Sequence, residues 1–588
     1  MKRRNLLRNI LIFLFAFIFG YAVKKEGENM ILQRVDSNIK DKDWNSVVEE
    51  MKGLTEQISD IAINVKNFGA IGDGITDDSG AIKAAIAALP ITGGSLIFPN
   101  GKYIQGNGTD KDCSFIFMKK NNIKIIGNGS IIQAHPNNPP SQNCRGFWFE
   151  NCKNISIENL TYNGRLDNRN APLNDNSEIN RQHAFAFREE CQQVSLTNVT
   201  SLYAMMDGFN CAGGQDYVFI NCISEYSFRQ GLTIGNAKNL KFIGGSLSKT
   251  GKIKGTLPKC GVDVEADGDT TNIANQARYL SFEGVRFDDN AGGGLNIHNG
   301  ARFVSARNCN FIGTGVYTIG TAVHTVIDSC IFINCSCEVL GDFGVIKNNY
   351  FEGENANAQI VVRKAKDGNG GRFSSIEGNK LNNQSITLGS ISRVQILVNE
   401  ANYVKVLDNH ILNGGASGAS TGDPAIQVIN SKGASVKNNT CVINIPIDGI
   451  AVWGVSVNGF GVLVEGNKLF GYESAKTNKG IETLKSSGSS IFINNASVTA
   501  NGRTAVFNNQ ARSRLNGLPT LIPTFIGGNA IFSHSHNPQN IKDMTIAEYN
   551  FKKGDICFNN AITSGGVIGW ICVDEGKPGV WEIIGNSF

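Results

Sequence analysis

One short phrase recurs along this chain and constrains its fold more than any other feature. An apolar residue is followed by a spacer, an Asn, Gly or Cys, and a second apolar residue. Copies include Ile157-Glu158-Asn159-Leu160, Leu196-Thr197-Asn198-Val199, Phe219-Ile220-Asn221-Cys222, Phe282-Glu283-Gly284-Val285, Ala306-Arg307-Asn308-Cys309 and Val436-Lys437-Asn438-Asn439. They recur about every 20 to 30 residues, a solenoid period. Each copy reads as two short strands split by a sharp bend, where Asn and Gly tolerate positive φ. One such coil cannot bury its own apolar face, whereas stacked coils share a continuous core. The bend asparagines are therefore expected to be structural and to hydrogen-bond along their column.

The chain has 588 residues, more than a single ordinary core requires. Charged residues are 18% and the net charge is +4, with no basic run beyond the first eight residues, so no nucleic-acid partner is expected. Cys152, Cys222, Cys309, Cys330 and Cys441 recur at similar places in the repeat, which predicts an inward thiol column rather than disulfides. Cys335-Ser336-Cys337 lacks the usual zinc spacing.

The pattern divides the chain as follows. Residues 1–29 hold Lys2, Arg3, Arg4 and Arg8 before an apolar run from Ile10 to Val23, a signal or membrane-anchor pattern that predicts export. Met30 offers a second start, without that segment. Residues 30–60 read as a helical lead-in, with Trp44, Val47, Val48, Met51 and Leu54 at helical spacing. Residues 61–500 form the solenoid, residues 501–550 an irregular linker, and residues 551–588 a small β-module containing Trp570 and Trp581. Near the start, a helix from Ser79 to Leu89 is expected, capped by Thr76 or Asp77.

Asn67-Phe68-Gly69-Ala70 through Asp77-Asp78, that helix, and Gly94-Ser95-Leu96-Ile97-Phe98-Pro99 together resemble the opening signature of the pectate-lyase superfamily. More narrowly, they are similar to the group shared by rhamnogalacturonase/epimerase-like enzymes and phage tailspikes. The resemblance covers roughly residues 61–480. It implies an all-β fold, a right-handed parallel β-helix with an N-terminal capping helix and a small C-terminal β-module. It also implies a polysaccharide partner, an extracellular, cell-surface or phage-tail location, and an assembly that admits a homotrimer. Fold alone does not select among lyase, hydrolase, epimerase and binding spike. The polygalacturonase pattern of paired aspartates with Gly-His-Gly and Arg-Ile-Lys is absent.

Six segments align on a Gly or Ala followed by alternating residues: Gly146–Glu150, Ala184–Arg188, Gly208–Ala212, Gly231–Gly235, Gly261–Glu265 and Gly294–His298. Alternation turns one set of side chains inward and the other outward. The outward set forms two ladders. The first is Trp148, Ala186, Asn210, Thr233, Asp263 and Asn296; the second is Glu150, Arg188, Ala212, Gly235, Glu265 and His298. Ala212 and Gly235 leave a groove beside Glu265, which Asp207 and Arg229 overhang.

Asp263 and Glu265 are then about 6.6 Å apart along one strand, a spacing that suits an acid and a base flanking a water in inverting glycoside hydrolysis. The expected roles are Glu265 as acid, Asp263 as base and His298 as the group that tunes or shares the proton. Arg229, Asp207, Arg188, Trp148 and Asn296 are the expected substrate contacts, with Arg229 holding an acidic sugar. No cofactor is expected, the alternative being Ca2+ held by Asp263 with Asp267 and Asp269. The leading expectation is a polysaccharide depolymerase, hydrolase or lyase. The alternatives are a glycan-binding tailspike or adhesin, and a polysaccharide epimerase.

Overall fold

In the computed structural model the described residues are 62–470, interrupted at 110–111, 139–143, 169–180, 254, 267–270, 299, 319, 321, 354–357, 366–367, 369, 384–393, 415, 418–423 and 444–450, together with strands at 21–34 and between 477 and 586. Two units separate at Ile63/Asn64. In the first, Tyr21–Glu26 pairs antiparallel with Asn29–Arg34. Residues 30–34 are thus extended rather than the start of a helix, as β-branched Val23 and Ile31 favour. Most of the predicted anchor, and the lead-in beyond residue 34, lie outside the described residues. No described helix is long and apolar enough to cross a membrane.

The second unit is a right-handed parallel β-helix. Each coil contributes a strand to each of three parallel ladders, and each strand pairs with its equivalent in the next coil. The predicted bends hold: Asn159, Asn198, Asn221, Gly244, Gly284, Asn308, Asn348 and Asn438 all have φ between 50° and 64°. Asn198 Nδ2 donates to Asn159 Oδ1 at 3.1 Å, one coil back. Further along, Asn349, Asn379, Asn409, Asn439 and Asn467 form a buried ladder with 2.9 Å side-chain hydrogen bonds. The Cys152, Cys222, Cys309, Cys330 and Cys441 thiols are buried and not joined in disulfides.

At the start of the solenoid the helix runs from Ser79 to Ala88, and its N-cap residue is Asp78, not Thr76 or Asp77. The Asp78 carboxylate faces away from the helix, accepting from the Ile71, Gly72 and Ile104 amides. Asp77 Oδ1 instead accepts the Ser79 amide at 2.9 Å. Near the C-terminus a five-stranded sheet runs Thr524–Ile526, Asn529–His534, Ile556–Asn559, Val567–Asp574, Val580–Asn586. It therefore includes strands from the stretch expected to be irregular. Trp570 and Trp581 are buried in it.

The ladder that carries the expected site residues contains Phe147–Glu150, Phe185–Arg188, Phe209–Ala212, Leu232–Gly235, Cys260–Glu265 and Gly293–Ile297. Its inner side stacks Phe147 on Phe185 and Phe149 on Phe187, with centroids 5.4 and 5.1 Å apart. That stacking fixes the strand register, and so fixes which residues align on the outer side.

Candidate active site

The two outer ladders have the expected register. Trp148 pairs with Ala186, Ala186 with Asn210, Asn210 with Thr233, Thr233 with Asp263, and Asp263 with Asn296. Arg188 lies opposite Ala212 and Gly235 opposite Glu265. The His298 amide donates to the Val264 carbonyl at 2.8 Å, which sets His298 beside Glu265.

These neighbours form one cluster. His298 Nε2 makes an ion-pair contact with Asp263 Oδ1 at 2.8 Å. A carboxylate oxygen of Asp263 lies within 4.8 Å of one on Glu265. The three donor groups lie within 4.8 Å of one another, the one described His/Cys/Asp/Glu group compact enough for a metal ion. A cation there would compete with the His298 contact to Asp263. Asp267 and Asp269, the other expected Ca2+ ligands, lie outside the described residues.

Two expectations change. Asp263 is fully buried, so it anchors the cluster from behind while Glu265 and His298 face the groove half-exposed. One of its oxygens also lies within 4.8 Å of one on Glu265, well inside the roughly 6.5–9.5 Å carboxyl separation of inverting hydrolysis. The backbone spacing along the strand does not set the carboxyl spacing, because the side chains lean together.

Burial, and then the Asp263 carboxyl, push Glu265 up to about 7. His298 is also raised, chiefly by its contact with Asp263. Arg229 is half-buried and its charge opposes the rise at Glu265. Among the described residues its guanidinium takes no hydrogen bond or ion pair, which leaves its donors open to a ligand anion.

The other predicted contacts are partly inside the wall. Asp207 is fully buried. Burial would raise its carboxyl, but the His183 ring, 3.1 Å away, with Arg229 and Thr233, holds it at about 2. Trp148 is buried, with Arg145 over its ring at 3.9 Å and its Nε1 donating to Glu150 Oε2 at 3.2 Å. It props the rim and presents no face. Arg188 is half-buried and donates from Nη1 to Asn210 Oδ1 at 3.1 Å. Asn296 is buried beside Asp263; its Oδ1 lies 2.4 Å from where a Cβ on Gly293 would sit, and Gly293 has φ 140°, so glycine is required there.

His183, Gln230 and Thr233 complete the site and were not singled out as site residues. His183, Asp207 and Gln230 each directly precede the small residue that opens a strand, at Ala184, Gly208 and Gly231. That shared position was visible in the sequence. Strict alternation would turn it inward, yet Asp207 and Gln230 bond to the outer-ladder residues Asn210 and Asp263.

The family profile described as "Rhamnogalacturonase A/epimerase, pectate lyase-like" matches residues 62–336, which hold every residue above. This stretch is a pectate-lyase-like β-helix. It is similar to Mannuronan C5-epimerase AlgE1 of Azotobacter vinelandii, 28% identical over 204 residues, covering 30% of this chain and 14% of the relative. Alginate lyase 7 of the same organism is 29% identical over 198 residues, covering 29% and 23%. Plasmin and fibronectin-binding protein A of Streptococcus pneumoniae is 26% identical over 247 residues, covering 39% and 31%. Each match spans less than a third of the relative's length. Among solved structures, the bacteriophage CBA120 tailspike protein 3 aligns with TM-score 0.40 and 10% identity, over 100% of this chain and 76% of that one.

Proposed function

We propose that this protein acts outside the cell, or on a phage tail, upon an acidic polysaccharide. The chemistry is proton transfer at the carbon next to a sugar carboxylate. The observation that carries this reading is the half-exposed pair Glu265 and His298, bridged by buried Asp263, with the open guanidinium of Arg229 alongside. Glu265 and His298 can remove and return a proton at one carbon, because two titratable groups meet there in different environments. Negative charge then builds on the sugar carboxylate, where Arg229 stabilises it. Return of the proton to the opposite face gives epimerisation. Departure of the neighbouring glycosidic oxygen with its bonding electrons, and with a proton from the acid, gives β-elimination. The similarity to mannuronan epimerases and an alginate lyase supports this class over hydrolysis.

The test is incubation with polymannuronate, polyguluronate, polygalacturonate and a neutral glycan in deuterium oxide. Unsaturated ends identify a lyase. Solvent deuterium at the sugar carbon without chain shortening identifies an epimerase. Binding without either product on any acidic glycan overturns the enzymatic reading and leaves an adhesin or spike, which the similarity to the streptococcal protein favours.

A further inference from the structure

One column of bend residues runs along the surface of the solenoid and changes character part-way. Strand register places Asn122, Asn154, Gln193, Asp216 and Asn239 in successive coils, and then Tyr279, Phe303, His324, Phe343, Phe373 and Tyr403. All have φ between 53° and 64°. In the first half, Asn154 Nδ2 donates to Asn122 Oδ1 at 2.8 Å and Asn239 Nδ2 to Asp216 Oδ1 at 3.0 Å. The second half is an aromatic ridge. Its neighbouring rings stack with centroids 4.8 to 5.5 Å apart and planes within 17° of parallel. The ridge stops at Gly433, where an added Cβ would lie 2.7 Å from Tyr403 Cδ1.

The bend does not call for rings. Asn, Gln and Asp serve it in the earlier coils at the same φ, where a bulky side chain is disfavoured. Stacking covers the ring faces but leaves the edges in solvent: Tyr279, Phe303, Phe343, Phe373 and Tyr403 are between 42% and 54% exposed. Sugars pack on ring faces, and these faces are already taken by one another, so a glycan does not suit the ridge. At roughly 150–250 Å² per aromatic side chain, five half-exposed rings present on the order of 500 Å² in one stripe. That is the upper range for the largest apolar patch of a monomer. Two such stripes face to face bury about 1,000 Å², the level at which specific interfaces begin. The order Tyr, Phe, His, Phe, Phe, Tyr reads nearly alike from both ends. A second copy therefore matches it ring for ring in either direction, at the same coil rise of about 4.8 Å.

We propose that the ridge from Tyr279 to Tyr403 is the surface on which a second copy of this chain docks side by side, ring edges against ring edges. The docking is independent of the chemistry proposed for the groove, so the two stand or fall separately.

The test is the mass of the full chain in solution, by light scattering and sedimentation, for the parent and for the double variant Phe303→Asn with Phe343→Asn. Asparagine already occupies this bend in earlier coils, so the variant keeps the backbone conformation. The parent is expected to have the mass of at least two chains and the variant that of one, with an unchanged circular dichroism spectrum. Should the double variant not fold, Phe343→Cys gives a second reading. Phe343 lies near the middle of the ridge, so oxidised glutathione should join two chains through position 343 in either direction of docking. The parent, whose described thiols are buried, should stay unjoined under the same treatment. A monomeric parent, a folded double variant that keeps the parent's mass, or Phe343→Cys chains that stay unlinked overturns the proposal. So does a monomer held instead by phosphatidylcholine vesicles, which would make the ridge a membrane contact.

Discussion

Asp263 and Glu265 lie two residues apart on one strand, and their carboxyls approach to within 4.8 Å, one fully buried and the other half-exposed. That closeness turns a spacing suited to two separate carboxylates into a pair in which Glu265 resists ionising. Its cost falls on the native state at high pH. The Glu265 carboxyl is raised from 4.5 to about 7. A raised folded-state value favours folding below the unfolded value, and that advantage is lost as pH climbs from 4.5 to about 7.

Glu265→Gln should therefore melt above the parent at about pH 8 and close to it near pH 4, because the variant has no charge to bury. The same substitution should lower turnover on an acidic glycan by about 10²- to 10⁴-fold, the usual contribution of a proton-transfer group. Thermal melts across pH, paired with the product assay, check both. Retained turnover removes Glu265 from the chemistry.

His298 gives the opposite partner's signature. Its contact with Asp263 raises it above 6.5, so its contribution to stability is complete below 6.5 and declines as pH rises past its folded value. His298→Asn should lower the melting temperature most at about pH 5.5 and least above pH 8. A deficit independent of pH would mean that packing, not charge, sets the contribution of His298.

Much of this arrangement was legible before any coordinates. The glycine-led strands fixed which residues share a rung, because inward Phe147, Phe185 and Phe209 leave one register that buries them. The bend asparagines followed from their tolerance of positive φ. What alternation could not reveal was depth. Outward residues such as Asp263 and Asn210 are buried because Asp207 and Gln230, at the kinked strand starts, fold over them. Nor could backbone spacing show that two carboxyls would approach to within 4.8 Å. The C-terminal sheet extended further upstream than expected, because Thr524–Ile526 and Asn529–His534 carry no copy of the repeat phrase.

The floor of the groove offers a clean steric experiment. A Cβ on Gly235 would meet nothing closer than Ala212 Cα at 3.9 Å, and no positive φ demands glycine there. Gly235→Phe should accordingly fold with a melting temperature near that of the parent, while its ring lies beside Glu265 and obstructs a polymer. Turnover on long acidic chains should drop at least about 10-fold, roughly 1.4 kcal/mol of lost transition-state binding. Unchanged turnover would place the polymer's path away from this rung.

The asparagine ladder predicts where the solenoid is most sensitive away from the site. Asn409 Oδ1 accepts both the Asn379 amide at 3.0 Å and Asn379 Nδ2 at 2.9 Å, while Asn409 Nδ2 donates to the Ile376 carbonyl and to Asn439 Oδ1 at 2.9 Å. Asn409→Leu keeps the volume but orphans two donors of Asn379 inside a buried column. Each unmet buried group costs about 1–3 kcal/mol, so the urea midpoint should fall clearly at an unchanged slope. Asn409→Asp retains acceptors toward Asn379 but turns a carboxylate oxygen on Asn439 Oδ1, where like groups repel. Its deficit should grow as pH rises and the buried carboxyl is forced to ionise. A urea midpoint insensitive to either change would mean that backbone pairing alone holds the coils, with the ladder adding nothing.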